Sequence, residues 1–88
     1  MKVIFLSKFS KDIDKIKLQT VKDDIIATIA EVENATKATD IKNLKKLVGF
    51  KTAYRIRIGE YRIGIYIVKD TVEFARIAHR KDVYKVFP

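Results

Sequence analysis

Cysteine is absent from this 88-residue sequence, and proline and histidine each occur once. Without a thiol, the chain cannot be a cysteine-dependent enzyme, a zinc ribbon or a disulfide scaffold. The same absence is compatible with a reducing cytosol. Glycine is also scarce, at three residues, while 48% of the sequence is hydrophobic. That balance describes a chain that folds and excludes a low-complexity one. Long apolar runs are missing too. The opening "MKVIFLSKFSKD" has four consecutive apolar residues, Val3 to Leu6, before Ser7 and Lys8. Four residues are too few for the core of a signal peptide or for a membrane span. The expectation is a cytoplasmic protein with no membrane partner. Its length allows one domain, 1–88, since two separate cores would be too small to hold.

Acid is what the second half lacks. Residues 1–41 carry seven lysines against seven Asp or Glu and sum to zero. Residues 42–88 carry twelve Lys or Arg against Glu60, Asp70, Glu73 and Asp82, so the whole net charge of +8 lies there. A one-sided basic balance favours a polyanionic partner such as nucleic acid, an acidic protein segment or an anionic membrane.

The apolar pattern gives the order of elements. "KVIFL" (residues 2–6) reads as a short strand. Phe9, Ile13 and Ile16 then recur at helical spacing, with Ser7 or Ser10 as a possible cap. Val21, Ile25, Ile26, Ile29 and Val32 form the stripe of a second helix, entered through a capping-box-like Thr20 and Asp23. Residues 34–50 are polar and then basic; Ile41, Leu44 and Leu47 are expected to anchor a turn of helix or a loop. Lys42, Lys45 and Lys46 read first as a solvated face.

From Thr52 the period becomes two. Tyr54, Ile56 and Ile58 alternate with Arg55 and Arg57. Gly59-Glu60 makes a glycine-first hairpin turn, and Tyr61, Ile63, Ile65 and Ile67 follow against Arg62, Gly64 and Tyr66. "TVEFARIA" is a last strand whose faces the pattern does not assign, and Asp82 to Phe87 suggest a terminal helical turn. The expected fold is α+β, in the order β-α-α-β-β-β. A helical hairpin covers one face of a small, mainly antiparallel sheet.

This geometry sends Arg55, Arg57 and Arg62 to the face away from the helices. Adjacent strands lie ~4.8 Å apart and alternate residues about 6.5–7 Å apart, so the three cations repel one another. Folding alone does not require that arrangement. An anion among them relieves it, and guanidinium matches phosphate in a bidentate way. The bland alternative is that they snorkel outward to Glu60, Glu73 or helix carboxylates. His79, Arg80, Lys81 and Tyr84 follow the last strand. His79 can exchange protons near neutrality, as RNA cleavage needs, or be purely structural. Tyr84 can stack on a base, exchange a proton, or seal the core.

"LKKLVGFKTAYRIRIGEYRIGIYIV" followed by "IAHRKDVYKVF" resembles the RelE/ParE superfamily of bacterial type II toxin–antitoxin toxins. The resemblance implies a compact microbial RNase-like fold. For the RelE branch it implies mRNA cleavage in the ribosomal decoding site, by attack of the 2′-hydroxyl on its own phosphodiester, with no metal or cofactor. Carried over by position, the site consists of Arg55 and Arg57, Arg62, Arg80 and Tyr84, with His79 as an alternative acid or base. Lys42, Lys45, Lys46, Lys51 and Lys81 are candidate RNA contacts. Arginine is almost never deprotonated, so Arg55 and Arg57 suit phosphate binding better than proton abstraction. The ParE branch implies inhibition of DNA gyrase on the same scaffold, and a non-toxic basic interaction module is a third reading. The expected partners are a cognate antitoxin, the ribosome and mRNA, with DNA reached only through the antitoxin complex.

Overall fold

A computed structural model describes all 88 residues. The elements are β1 (Lys2–Phe5), α1 (Ser7–Asp14), α2 (Gln19–Asn34), a 3-10 turn (Ala38–Asp40), β2 (Leu44–Lys46), β3 (Ala53–Ile58), β4 (Tyr61–Val68), β5 (Thr71–His79) and α3 (Val83–Val86). They build one five-stranded sheet in the order β1-β5-β4-β3-β2, in which β1 lies parallel to β5 and every other pairing is antiparallel. The parallel pairing follows from connectivity: the chain leaves β1 through α1 and α2, enters β2 running against β1, and reverses three more times, so that β5 comes back parallel to β1.

Three expectations need correction. Leu44 to Lys46 are a strand, not a turn of helix or a loop. Leu44 sits opposite Ile56 and turns inward, while Lys45 opposite Arg55 turns outward. Three residues are too few for a period of two to register, so the strand depends on the free edge of β3. Neither predicted cap forms either. Leu6 and Leu18 occupy the N-cap positions without side-chain bonds. Thr20 lies inside α2, and Gln19 bonds Asp23 at 2.9 Å instead. Finally, Ile26 is 65% exposed, so the apolar stripe of α2 narrows to Val21, Ile25, Ile29 and Val32.

The main core lies between the helices and one sheet face, where Phe9, Ile25, Val32, Ile56, Ile63, Ile65, Val72 and Phe74 are buried. Leu, Ile, Val and Phe side chains buried in this way each contribute roughly 1.5–3 kcal/mol, before the entropy of ordering the chain is set against them. The other sheet face holds a thin second cluster of Ala53, Ala75, Val83 and Phe87. Small residues there keep the sheet low enough for α3 to lie across it. Gly64 is the tightest point: a Cβ at that position would overlap the Phe87 ring.

The strand that the pattern could not orient contains a bulge. Gly64 pairs with Arg76 but Ile65 pairs with Phe74, leaving Ala75 as the extra residue. The alternation therefore breaks in mid-strand. Beyond Phe5 the edge of β5 has no partner strand, and Asp12 of α1 covers it. Its carboxylate accepts from Arg76 Nε at 2.7 Å, Arg76 Nη2 at 3.1 Å and the Ile77 N–H at 3.1 Å. These bonds satisfy a buried carboxylate and tie α1 to the sheet. No helix is long and apolar enough to cross a membrane.

Candidate functional site

The site begins with the β3–β4 hairpin. Its loop is Gly59-Glu60, and Gly59 has φ +59°, the left-handed value that a two-residue hairpin requires in its first loop position. That turn fixes the register so that Arg57 stands directly opposite Arg62. Arg62 in turn faces Ala78 on β5, two residues before Arg80. Arg55 faces Gly64 on one side and Lys45 of β2 on the other. The sequence spacing thus becomes a patch of cations that runs from Lys45 on β2 through Arg55, Arg57 and Arg62 to Arg80 just past β5, and at the β3–β4 turn it borders a hollow shared with α2.

The four arginines are held differently. Arg62 Nη1 donates to the Gly59 and Tyr61 carbonyls at 2.8 and 3.0 Å, so the turn aims its guanidinium and leaves its other donors free. Arg80 forms an exposed ion pair with Glu60, and its own N–H donates to the Glu60 carbonyl at 2.7 Å. The side chains of Arg55 and Arg57 make no hydrogen bond or ion pair. None of the hairpin trio thus pairs with Glu60, Glu73 or a helix carboxylate, as the snorkelling alternative would have it; Glu60 pairs with Arg80 instead. Arg62 is held below the usual arginine value, first by burial and then by the charges of Arg55 and Arg57, with Arg80 adding to the repulsion and Tyr84 opposing it. The other four groups all act on Arg62. Arg62 is never neutral at ordinary pH, so its depressed value reflects the cost first of burying a positive charge and then of crowding it.

Tyr84 projects from α3 and is 60% exposed. It does not seal the core; Val83 and Phe87 do, and the Phe87 ring packs on Tyr66 with centroids 5.1 Å apart. His79 is placed apart from the arginines. It pairs with Tyr61, whose side chain belongs to the helix-packed face, and the two rings meet edge to face at 5.8 Å. Its Nδ1 accepts the Lys81 N–H at 3.2 Å, which shapes the turn leading to Arg80 and Tyr84. Of the lysines, Lys45 joins the arginine patch through its pairing with Arg55, and Lys46 lines a groove beside Tyr84. Lys51 lies on the following loop, and Lys81 is exposed next to Arg80. Lys42 stands at the margin, its N–H held by Glu31 of α2 at 2.8 Å.

Two hollows border the patch. One, of about 670 Å³, lies between α2 and the β3–β4 turn and sets Arg57, Arg62 and Arg80 against Asp24 and Glu31. The other, of about 480 Å³, is lined by Lys45, Lys46, Leu47, Val48, Phe50, Tyr84, Phe87 and Pro88. Sequence reasoning missed Phe50 and Phe87 as neighbours of Tyr84. The signal for Phe87 was Gly64, a glycine inside a strand pattern, which marks a close approach.

The sequence model of the family described as "ParE toxin of type II toxin-antitoxin system, parDE" matches residues 3–84. The chain belongs to the RelE/ParE superfamily of toxins. A relative, Toxin RelE3 of Methanocaldococcus jannaschii, is 40% identical over 89 residues, covering all of both chains. In the crystal structure titled as the RelB–RelE antitoxin–toxin complex from Methanococcus jannaschii, a chain 37% identical superposes with a TM-score of 0.80. The match covers 97% of this toxin and 99% of that chain. A chain of the intact E. coli RelBE toxin–antitoxin complex superposes at 0.70 with 20% identity, over 89% of this toxin and 94% of that chain, and it supports the fold alone. The family model is described by the ParE branch, whereas the full-length relative carries the RelE name. This is a RelE-type toxin on the scaffold that both branches share.

Proposed function

We propose that the toxin is a metal-independent endoribonuclease that cuts mRNA, on the ribosome, and so stops translation. One observation carries the reading: Arg57 stands opposite Arg62 with Arg55 one row on, Arg80 and Tyr84 are close enough to act on the Arg62 charge, and the side chains of Arg55 and Arg57 have no protein partner. The reaction requires a 2′-oxygen to attack the adjacent phosphorus while the bond to the 5′-oxygen breaks. Negative charge grows on the phosphoryl oxygens, and fixed cations placed there stabilise the transition state more than the ground state. Arg62, aimed by the turn carbonyls, and Arg80 fill that role. Arg55 and Arg57 hold the backbone and by their charge favour loss of the 2′-hydroxyl proton to solvent water, and the attack leaves a 2′,3′-cyclic phosphate. Tyr84 carries the only titratable hydroxyl in the cluster, and it hands a proton to the departing 5′-oxygen or stacks on the adjoining base.

His79, on the other face, touches neither the phosphate nor the leaving group; it orients the turn. A cognate antitoxin is the natural partner, by analogy with the RelB–RelE complexes, and an acidic amphipathic segment laid across this face would neutralise it. DNA is reached only within that complex.

The test is 5′-end mapping of cellular mRNA minutes after induction. Cleavage within codons is expected for the parent and for His79→Ala, and its loss is expected for Arg62→Ala and Arg80→Ala. The ParE-like reading, favoured by the family description, predicts double-strand DNA breaks with unchanged mRNA ends. Full toxicity of both arginine variants would overturn the site.

A further inference from the structure

The loop between β2 and β3 presents apolar side chains to water. Val48 is 94% exposed and Phe50 50% exposed, and neither position contributes to either buried cluster. The loop is built to hold them there. Gly49 has φ +87°, the Phe50 N–H donates to the Leu47 carbonyl at 3.3 Å, and the Leu47 N–H donates to the Ala53 carbonyl at 2.9 Å. Folding would be served equally well by serine and asparagine at such a turn. An exposed aromatic on a fixed turn beside a cationic patch is instead what a binding surface uses.

We propose, resting on the RNA-cleaving reading above, that this loop forms a nucleobase subsite in which Phe50, with Val48 beside it, receives the base adjoining the cleaved linkage. Register supplies the argument for the occupant. Arg57 and Arg62 form one cross-strand pair, and the next outward-facing row on the sheet is Lys45, Arg55 and Gly64, with Phe87 lying on Gly64. Successive outward-facing rows are about 6.5–7 Å apart, close to the spacing of neighbouring phosphates in an extended strand. A phosphate at Arg57 and Arg62 therefore puts the next one at Lys45 and Arg55. The attached base then faces the groove of about 480 Å³ between Phe50 and Tyr84. Aromatic walls with lysines at the rim are the composition of a stacking platform for single-stranded nucleic acid. A peptide helix would be served by a continuous apolar trough, and here the row of Lys45 and Arg55 interrupts the apolar surface. Phe50 supplies stacking, which every base offers, so the subsite adds affinity and places the strand with little discrimination among bases.

The experiment uses the folded toxin and short RNA oligonucleotides with a 2′-deoxy nucleotide at the scissile position, which binds without being cut. One set keeps all bases and another has an abasic nucleotide at each position in turn. Affinity is read by fluorescence anisotropy at several salt concentrations. Phe50 and Val48 are exposed, so Phe50→Ala and Val48→Ser leave the fold intact, which an unchanged melting temperature will verify. Phe50→Ala should weaken the complete oligonucleotide about tenfold, the size of one lost base–aromatic stack. It should do nothing to the oligonucleotide that is abasic at the adjoining position. Binding that is steep in salt and lost in Arg62→Ala, yet equal for Phe50→Ala and the parent on every oligonucleotide, would overturn the subsite and leave the RNA reading standing. The same result, with antitoxin binding weakened by Phe50→Ala, would assign the loop to the protein partner. Absence of salt-dependent binding to any oligonucleotide, by the free toxin and with ribosomes present alike, would overturn both.

Discussion

Arg57 offers the sharpest test of whether this sheet face is shaped by binding at the expense of stability. It stands opposite Arg62, two residues from Arg55, and makes no hydrogen bond or ion pair that a substitution would remove. Two charges about 6 Å apart in a water-like dielectric repel by roughly 0.7 kcal/mol, and screening at physiological salt about halves that. With two near neighbours, Arg57→Gln should stabilise the fold by about 1 kcal/mol at low salt and about half that at 0.15 M. For a domain of this size, the melting temperature should then rise by about 4–8 °C at low salt. The pKa of Arg62 is lowered by burial and by Arg55 and Arg57. A depressed folded value for a base means that the charged form is disfavoured at every pH below it. The penalty is therefore flat across the working range, and salt rather than pH is the variable to scan.

The assay is thermal unfolding of parent and variant at low and high salt, with and without phosphate, beside growth after induction. Phosphate should raise the melting temperature of the parent more than that of the variant, and the variant should be less toxic. A variant that melts lower than the parent, or whose difference ignores salt, would refute the claim that these cations are held together against their repulsion.

The remaining predictions concern the parts that hold the site. Asp12→Ala leaves Arg76 without its carboxylate and the Ile77 N–H uncapped; it should cost roughly 3 kcal/mol in denaturant unfolding, and a loss under 1 would show that the edge is covered by something else. Gly64→Ala pushes a methyl group into the Phe87 ring, so it should destabilise by about 1–3 kcal/mol and displace α3, lowering RNA cleavage more than Phe87→Leu does. Asp40 is held below the usual carboxylate value, first by the Thr36 hydroxyl and then by backbone N–H groups of Thr36 and Lys37. A depressed carboxylate stabilises above its unfolded value and loses that contribution as pH falls through the folded one. Parent and Asp40→Ala should therefore differ most at neutral pH and converge under acid, on the low side of about pH 3.9; a gap that widened in acid would contradict this assignment.

Much of this was readable in the residues themselves. Alternation of isoleucine with arginine, closed by Gly59-Glu60, dictates a hairpin with one apolar and one cationic face, because a period of two leaves a side chain no other choice. The scarcity of acid after residue 41 dictates that the cations stay largely unpaired, whereas the parallel pairing of β1 with β5 rests on β2, a reversal of the chain that the pattern did not show. What the tertiary structure decided is everything that depends on which strands become neighbours. β2 exists only because β3 offers an edge, and the bulge at Ala75 hid the faces of β5 from any periodic reading. His79 ends β5 on the helix-packed face beside Tyr61, while Arg80, just past the strand, turns back to the β3–β4 loop and pairs with Glu60. Phe50, Tyr84 and Phe87 meet around one groove although a whole hairpin and strand separate the first from the others. Local pattern fixes direction within a strand, but distance between strands is set by the chain's return path, and a binding surface is made of such distances.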